Sequence, residues 1–260
     1  MERFLRPKWI VSHVFVVLLV VAMIVAGFWQ LGRYNDRRDT NDQVTERLEE
    51  PLADIGDIVS IDDPFSVGDD VRFRLASATG EYQSDDEVLV LNRSLNGAPG
   101  YWVLTPLLLD DGTAVAVNRG WIPFRFEPGT PRPETAAPSG TVTAAGMVRR
   151  TVEPEGIQSG DEEGVVLDAL ARPDLERLRQ QLDYPLLPVL IQLEAQEPAA
   201  AELPVTLARP ALDNGPHLSY AFQWFIFATI GAIGYPLTLR RIARSEGKDG
   251  RHSDIPVDYL

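Results

Sequence analysis

The sequence predicts a two-span α-helical membrane protein with an inserted, mainly β (α+β) extracytoplasmic domain, and three observations predict it. Residues 10–31 and 218–239 are strongly apolar and free of charge. At about 1.5 Å per residue, each run is long enough to cross a hydrocarbon core of about 30 Å. Basic residues lie on the terminal side of both runs. Residues 32–217, between the runs, contain short β-type stretches separated by turn-forming residues.

The segments outside the two runs determine the predicted orientation. Residues 1–9 and 240–260 carry basic residues next to the spans, namely Arg3, Arg6, Lys8, Arg240, Arg241, Arg244 and Lys248. Because basic residues near span ends stay in the cytoplasm, we expect both termini there and the middle domain on the outer side. This predicts a multi-pass protein of the bacterial plasma membrane, embedded in the lipid bilayer.

The first apolar run has one alternative interpretation, a cleavable signal peptide. A signal peptide has a shorter apolar region that ends in small residues suited to cleavage. Here the run continues into Phe28, Trp29 and Gln30, which favours a span that is retained.

The composition of the middle segment excludes several classes of function. Residues 34–217 contain 15 arginines, no lysine and 33 aspartates and glutamates, which gives a net charge of −18. Such an acidic domain is not expected to bind nucleic acid. The whole chain lacks cysteine, so disulfides and thiolate metal sites are excluded.

The middle segment predicts a β-rich domain with little helix. A weak helical pattern covers 34–60, and apolar spacing after a first-turn proline predicts one short helix at 173–182. Residues 127–140 are a proline-rich loop, and residues 153–164 are an acidic one. Strands are predicted at 71–77, 87–95, 101–109, 113–121, 141–149, 164–167, 186–193 and 205–208.

Nothing in the sequence indicates a catalytic site. The three histidines, His13, His217 and His252, are spread over the chain, and no G-x-S-x-G nucleophile elbow is present. No glycine-rich phosphate loop follows a predicted strand. We therefore expect that the protein is not an enzyme.

The outer ends of the two spans carry the candidate binding site. Residues on one face of each predicted helix meet at the same level, and they are Trp29, Gln30, Arg33, His217, Tyr220 and Trp224. An aromatic belt with a snorkelling arginine explains Trp29, Trp224 and Arg33. It explains Gln30 and His217 less well, because polar groups against lipid are costly without partners.

His217 is the candidate metal ligand of this site. The helix-start sequence at 213–216 places it in the first turn of the second span, where the helix dipole favours a neutral ring. A single imidazole without cysteine or clustered acids does not make a bare zinc or copper site. It suffices for haem iron, because the porphyrin supplies four nitrogens. A histidine that only packs between the helices is the alternative.

Three segments together resemble a known family. AGFWQLGR at 26–33, LNRSLNGAPGYWVLTPLLLDDGTAVAVNRGWIP at 91–123 and HLSYAFQWF at 217–225 are similar to the motifs of the Surfeit locus protein one family of cytochrome c oxidase assembly factors. The resemblance implies that haem a is held or delivered to the oxidase catalytic subunit, with His217 as axial ligand. Trp29, Gln30, Tyr220 and Trp224 would line the site, and haem a synthase is a second candidate partner.

The strand end at 118–121 raises a further expectation within this resemblance. If the domain rests on the bilayer, Arg119 and Trp121 lie near the level of His217. Arg119 or Arg93 would then pair with haem propionates, and Trp121 would flank the ring or anchor at the headgroups. Alternatively, these arginines pair with carboxylates of the domain and Gly120 forms a bulge; we favour this for Arg93 and leave it open for Arg119.

Two other functions remain as alternatives. A membrane scaffold for oxidase assembly would use the same aromatic surface without binding haem. A membrane-bound ligand sensor or hydrolase would instead have a deep pocket within the β domain.

Overall fold

The computed structural model describes residues 6–130, 132–154, 160–162, 164–199 and 202–249. It divides into two compact units, one of Met1–Asp42 with Leu212–Leu260 and one of Gln43–Ala211. Arg3, His252, the Lys248 side chain and part of the acidic loop at 153–164 lie outside what the structure describes.

The described elements are five helices and eight strands, apart from short 3₁₀ turns. The helices are α1 (Pro7–Glu49), α2 (Ile55–Ile58), α3 (Val67–Val71), α4 (Leu175–Arg179) and α5 (His217–Asp249). The strands are β1 (Ala53–Asp54), β2 (Leu75–Tyr82), β3 (Val88–Leu95), β4 (Ala98–Leu109), β5 (Ala114–Pro123), β6 (Thr141–Arg150), β7 (Ala169–Leu170) and β8 (Leu186–Glu197).

The first unit is an antiparallel pair of long helices. Both α1 and α5 are apolar and long enough to cross a membrane. A side chain at Gly27 would overlap the ring of Phe225, so the absence of one lets the helices approach closely, as small residues do between membrane helices. Near the opposite end of the pair, Tyr235 Oη lies 2.7 Å from His13 Nδ1. The two apolar runs thus form helices that lie side by side.

Helix α1 continues well beyond the apolar run that predicts it. It passes through the charged segment after residue 31 and ends at Glu49. Pro51 explains this end, because the residue before a proline is disfavoured in helical conformation. The weak helical pattern predicted for 34–60 is thus confirmed for its first part.

The second unit is built on one mixed eight-stranded sheet. The strand order is β1-β2-β6-β8-β5-β4-β3-β7, and an additional pairing of β2 with β4 closes five strands into a ring. The pairs β1–β2, β3–β7 and β5–β8 are parallel, whereas the others are antiparallel. Both strands at the ends of this order, β1 and β7, have two residues. Inward-facing side chains such as Val117, Leu107 and Ile191 fill the largest core cluster.

Three predicted strands differ from the structure. The strand predicted at 71–77 begins only at Leu75, because residues up to Val71 form α3. The one predicted at 164–167 is absent; Val166 is 79% exposed, and the pairing occurs at β7 instead. In 205–208, Val205 makes an isolated bridge to Trp121. These three differences have one reason: residues with high β-propensity form a strand only where a neighbouring strand is available for pairing.

A buried ion network lies inside the sheet domain and involves Arg119. Its side chain is 1% exposed. It donates from Nη1 to Glu87 Oε2 at 2.9 Å and from Nη2 to the Ala136 carbonyl at 3.0 Å. Thr105 also donates to Glu87 Oε2, at 2.7 Å, and Arg132 donates to Glu87 Oε1, at 2.8 Å. The alternative that Arg119 pairs with a carboxylate of the domain is what the structure shows.

A β-bulge in β5 turns Arg119 into this network. In the register with β4, Val103 lies opposite Gly120 and Leu104 lies opposite Asn118, so Arg119 is the extra residue. Gly120 has φ of 133°, and a side chain there would collide with the Val205 carbonyl. The predicted bulge at Gly120 is therefore present, and the position requires glycine.

Replacing Arg119 should destabilise the sheet domain strongly. In Arg119→Met, Glu87 keeps Arg132 but loses its more deeply buried partner, and we expect a loss of about 3 kcal/mol in the free energy of unfolding. Chemical unfolding of the full chain in detergent measures it. The matched control is Arg125→Met, since Arg125 is exposed and its ion pair to Glu134 is 3.9 Å long. Equal losses in the two variants would contradict a structural role for the network.

Candidate functional site

The structure brings together the two polar residues at the predicted site. His217 Nδ1 lies 2.9 Å from Gln30 Oε1, and both side chains are half-buried between α1 and α5. Each residue thus supplies the polar partner that the other needs in an apolar setting. The contact joins residues 187 positions apart.

This contact engages Nδ1 of His217, so Nε2 is the ring nitrogen that remains for a ligand. When Nδ1 carries the ring proton, it donates to the Gln30 carbonyl oxygen, and Nε2 keeps its lone pair. Metal-ligating histidines are commonly oriented in this way by a second hydrogen bond. In that tautomer Gln30 orients the imidazole, and the lone pair on Nε2 can bind an iron or accept a hydrogen bond.

Gly215 keeps the Nε2 edge of the ring uncrowded. A Cβ placed on Gly215 would lie 3.4 Å from His217 Nε2 and 3.2 Å from Cδ2. Its φ of 66° is in the left-handed region, which favours glycine. The same residue thus provides the backbone turn before α5 and the space beside the imidazole.

The chain before α5 is held in place by local hydrogen bonds. Asp213 Oδ1 accepts from the Gly215 amide at 2.7 Å, and the Pro216 carbonyl accepts from the Tyr220 amide at 3.1 Å. Asn41 of α1 donates to Asn214 Oδ1 at 2.7 Å. These contacts determine where α5 begins, and they confirm that His217 is in its first turn.

The aromatic residues of the predicted site are arranged around the helix pair. Trp29 and Tyr220 are 57% and 46% exposed, and the exposed Arg33 guanidinium lies 5.9 Å from the Trp29 ring centroid. Trp224 is half-buried, with its ring 6.3 Å from that of Phe227. In the part of the chain that the structure describes, His217 and Gln30 are the two predicted site residues that hydrogen-bond to each other; the ligand contacts predicted for Trp29, Arg33, Tyr220 and Trp224 stay predictions.

Arg119 and Trp121 are buried within the sheet domain. Trp121 is 8% exposed, and its indole Nε1 donates to the Arg93 carbonyl at 3.3 Å. A side chain on Gly100 would overlap that indole, so the two strands approach closely here. Arg119 directs its guanidinium to Glu87. The cofactor contacts predicted for both residues stay predictions.

Arg93 differs from its sequence-based expectation. Among the described residues it forms no ion pair with a carboxylate; its guanidinium instead lies 4.6 Å from the Trp102 ring centroid and donates to the Ala171 carbonyl at 3.4 Å. Together with Arg72, Arg149 and Arg150 it lines a pocket that the sequence analysis missed. The available signal was the Arg149–Arg150 pair at the end of a predicted strand in an acidic domain without lysine.

The comparisons with known proteins point to one family. The model of the SURF1 family matches residues 17–229, which include Gln30 and His217. An uncharacterized SURF1-like protein of Mycobacterium bovis is 28% identical over 237 residues, covering 88% of this chain and 83% of that protein. A SURF1-like protein of Caenorhabditis elegans is 24% identical over 246 residues, covering 86% and 72%. The cytochrome oxidase assembly protein SHY1 of Saccharomyces cerevisiae is 38% identical over 55 residues, covering 21% and 14%.

Removing the amide of Gln30 should weaken the helix pair. In Gln30→Leu, His217 Nδ1 loses its partner in an apolar setting, and we expect a loss of about 1 kcal/mol in the free energy of unfolding. Thermal unfolding of the full chain in detergent measures it. The control is Thr229→Val, because Thr229 bonds to the Phe225 carbonyl of its own helix. A Gln30→Leu variant as stable as this control would contradict the proposed contribution of the contact.

Proposed function

Because the chain belongs to the SURF1 family, we propose that it is a membrane-embedded assembly factor for cytochrome c oxidase. We propose further that it holds haem a and passes it to the catalytic subunit. The similarity to a yeast protein named as a cytochrome oxidase assembly protein supports the first part. The observation that carries the second part is the 2.9 Å contact of His217 Nδ1 with Gln30. With the ring proton on Nδ1, Nε2 has a lone pair for the iron.

The residues of the helix pair fit the requirements of a haem. A haem iron needs one or two protein ligands because the porphyrin supplies four nitrogens, and a haem a held here would supply no chemistry beyond its own transfer. His217 would hold the iron through Nε2, Gln30 would fix the ring, and Gly215 would leave space at the ligating edge. The exposed indole of Trp29 and phenol of Tyr220 offer apolar surface to a macrocycle.

The surface of the first unit supports a location in the membrane. Both long helices expose rows of large apolar side chains, such as Phe15, Leu18, Phe222 and Ile230, which is unfavourable in water. Exposed basic residues lie at the inner ends of both helices, and they are Arg6, Lys8, Arg240, Arg241 and Arg244. Under the positive-inside rule this favours cytoplasmic termini in a bacterial plasma membrane.

In this proposal the protein binds and orients its cargo and catalyses no reaction. The oxidase catalytic subunit receives the haem, and haem a synthase is the source that the chemistry of the cargo requires. A protein that passes its haem on needs an iron-binding residue that is accessible, and a fully closed pocket would hinder the transfer. The half-exposed aromatic residues around His217 meet that need.

The proposal predicts that haem retention depends on His217. We expect the chain purified after co-expression with haem a synthesis to show the absorption bands of bound haem. The His217→Ala variant should lose most of them because the axial nitrogen is gone. The matched control is His13→Ala, which removes the histidine near the other end of the same helix pair and should keep the spectrum.

Two outcomes would replace the haem carrier by a scaffold. One is a colourless wild type, and the other is an undiminished spectrum in His217→Ala. A deletion strain separates the parts of the proposal, since loss of oxidase activity restored equally by wild type and His217→Ala supports assembly without haem binding. Unchanged oxidase activity and haem a content in the deletion strain would contradict the assembly role.

A further inference from the structure

An arginine-lined cavity of about 260 Å³ lies within the sheet domain. Its polar wall comes from separate strands and from the segment after α3, and the residues are Arg72, Arg93, Arg149, Arg150, Trp102 and Asn118. We call it the arginine pocket. Four cations converge here in a domain whose net charge is −18 over residues 34–217, so the pocket does not reflect a generally basic surface.

The positive charge of the arginine pocket is poorly neutralised by the protein. Asp69 lies 3.4 Å from the Arg150 guanidinium and 4.0 Å from that of Arg72. Within the described ranges, neither Arg93 nor Arg149 forms an ion pair. Among the described residues, one carboxylate at the rim therefore faces four guanidinium groups, all of them partly exposed. A partly desolvated charge without a counterion is less favourable than a paired one.

The shifts of the arginine pKa values agree with this excess of charge. Burial lowers the pKa of Arg93, and the nearby Arg172 lowers it further. Burial likewise lowers the pKa of Arg149, and Arg72 and Arg150 add to the effect. An anion in the pocket would oppose both shifts, because an opposite charge favours the protonated form.

Several hydrogen-bond donors of the pocket are unused. The Nε atoms of Arg72 and Arg93 and the indole Nε1 of Trp102 are buried without a hydrogen-bond partner. Most buried polar groups in native proteins have a partner. Three unpartnered donors on residues that line one cavity can serve an acceptor with several oxygens; the Nε atoms of Arg119 and Arg132, outside the pocket, are also unpartnered.

Irregular backbone places the pocket side chains. Phe73 lines the pocket and has φ of 73°. The guanidinium carbons of Arg72 and Arg149 lie 5.2 and 5.4 Å from the centroid of its ring. Asn92, with φ of 55°, lies in a bulge of β3 directly before Arg93. Left-handed backbone at residues other than glycine is strained and concentrates at functional sites.

We propose that the arginine pocket binds the phosphate group of a phosphate ester. A phosphate presents three acceptor oxygens and up to two charges, which suits guanidinium groups that approach from several sides. The cavity volume of about 260 Å³ is several times the volume of one water molecule in the liquid, which is about 30 Å³. The cavity therefore has room for the organic part of the ester beside Trp102 and Phe73. This proposal does not depend on haem binding.

The test is a titration of the full chain in neutral detergent with phenyl phosphate at low millimolar concentration. We expect saturable heat of binding by calorimetry and a rise in the unfolding midpoint that saturates at the same concentration. Arg93→Gln and Arg149→Gln should each weaken binding at least tenfold, whereas the exposed control Arg125→Gln should bind as wild type does. His217→Ala should also bind normally, so that failure of the haem proposal leaves this one intact.

The unliganded variants distinguish a binding role from a structural one. Each glutamine substitution relieves repulsion among the arginines, so the unfolding midpoint without ligand should stay the same or rise. The proposal would be overturned if Arg93→Gln and Arg149→Gln both lowered the unfolding midpoint without ligand and both left phosphate binding unchanged. Absence of saturable binding in the wild type, or equally tight binding of a dicarboxylate such as succinate, would also overturn it.

Two further probes identify the source of the phosphate group. Glycerol phosphate represents soluble esters, and short-chain phosphatidylglycerol represents an anionic lipid headgroup, with phosphatidylcholine as its zwitterionic control. Binding of glycerol phosphate that Arg93→Gln abolishes would support a soluble ligand. Preference for phosphatidylglycerol over both glycerol phosphate and phosphatidylcholine, lost in the same variant, would support a lipid headgroup.

Discussion

The sheet domain depends on one buried ion pair, that of Arg119 with Glu87. The glutamate precedes β3, the arginine is the bulged residue of β5, Thr105 contributes from β4, and Arg132 and the Ala136 carbonyl belong to the following loop. A planar guanidinium with two donating nitrogens can serve two acceptors at once, which a lysine ammonium does with less geometric definition. Because a buried charge is tolerated only with partners in place, this pair requires that the strands, the bulge and the loop adopt one arrangement together.

In the helix pair, a hydrogen-bonding contact between two side chains has the equivalent role in an apolar setting. Gln30 and His217 are 187 positions apart in the sequence, and each is the hydrogen-bond partner of the other. At the other end of the pair, Tyr235 meets Ser12 and His13 in the same way. Polar contacts at both ends and small residues between them specify the register of α1 against α5. The contact engages one ring nitrogen of His217, and the second ring nitrogen remains for other chemistry.

The sequence predicted the parts of the structure that follow from local pattern. The two apolar runs, the strands that became β3 to β6 and β8, and the short helix containing α4 follow from apolar spacing and flanking turn residues. Pro173, predicted in the first turn of that helix, instead precedes its cap Asp174, which accepts from the Arg177 amide. The strand predictions for 205–208 and 164–167 were wrong because a strand needs a neighbouring strand to pair with, and periodicity does not show whether one is present. Gln30 and His217 were recognised as needing partners. The arginine pocket was not, since its residues are distant in sequence and Arg93 reaches it only through a bulge.

The sheet ends in very short strands, and this limits how other proteins can recognise the domain. In the described part of the chain, β1 and β7 have two residues each, and the β2–β4 pairing closes the ring between them. A two-residue edge offers too few free amides and carbonyls to template an incoming strand. Neither β1 nor β7 is therefore a suitable template for strand addition, although β7 pairs with only Leu89 and Val90 of β3. The same property makes these two terminal strands poor nuclei for fibrous self-association.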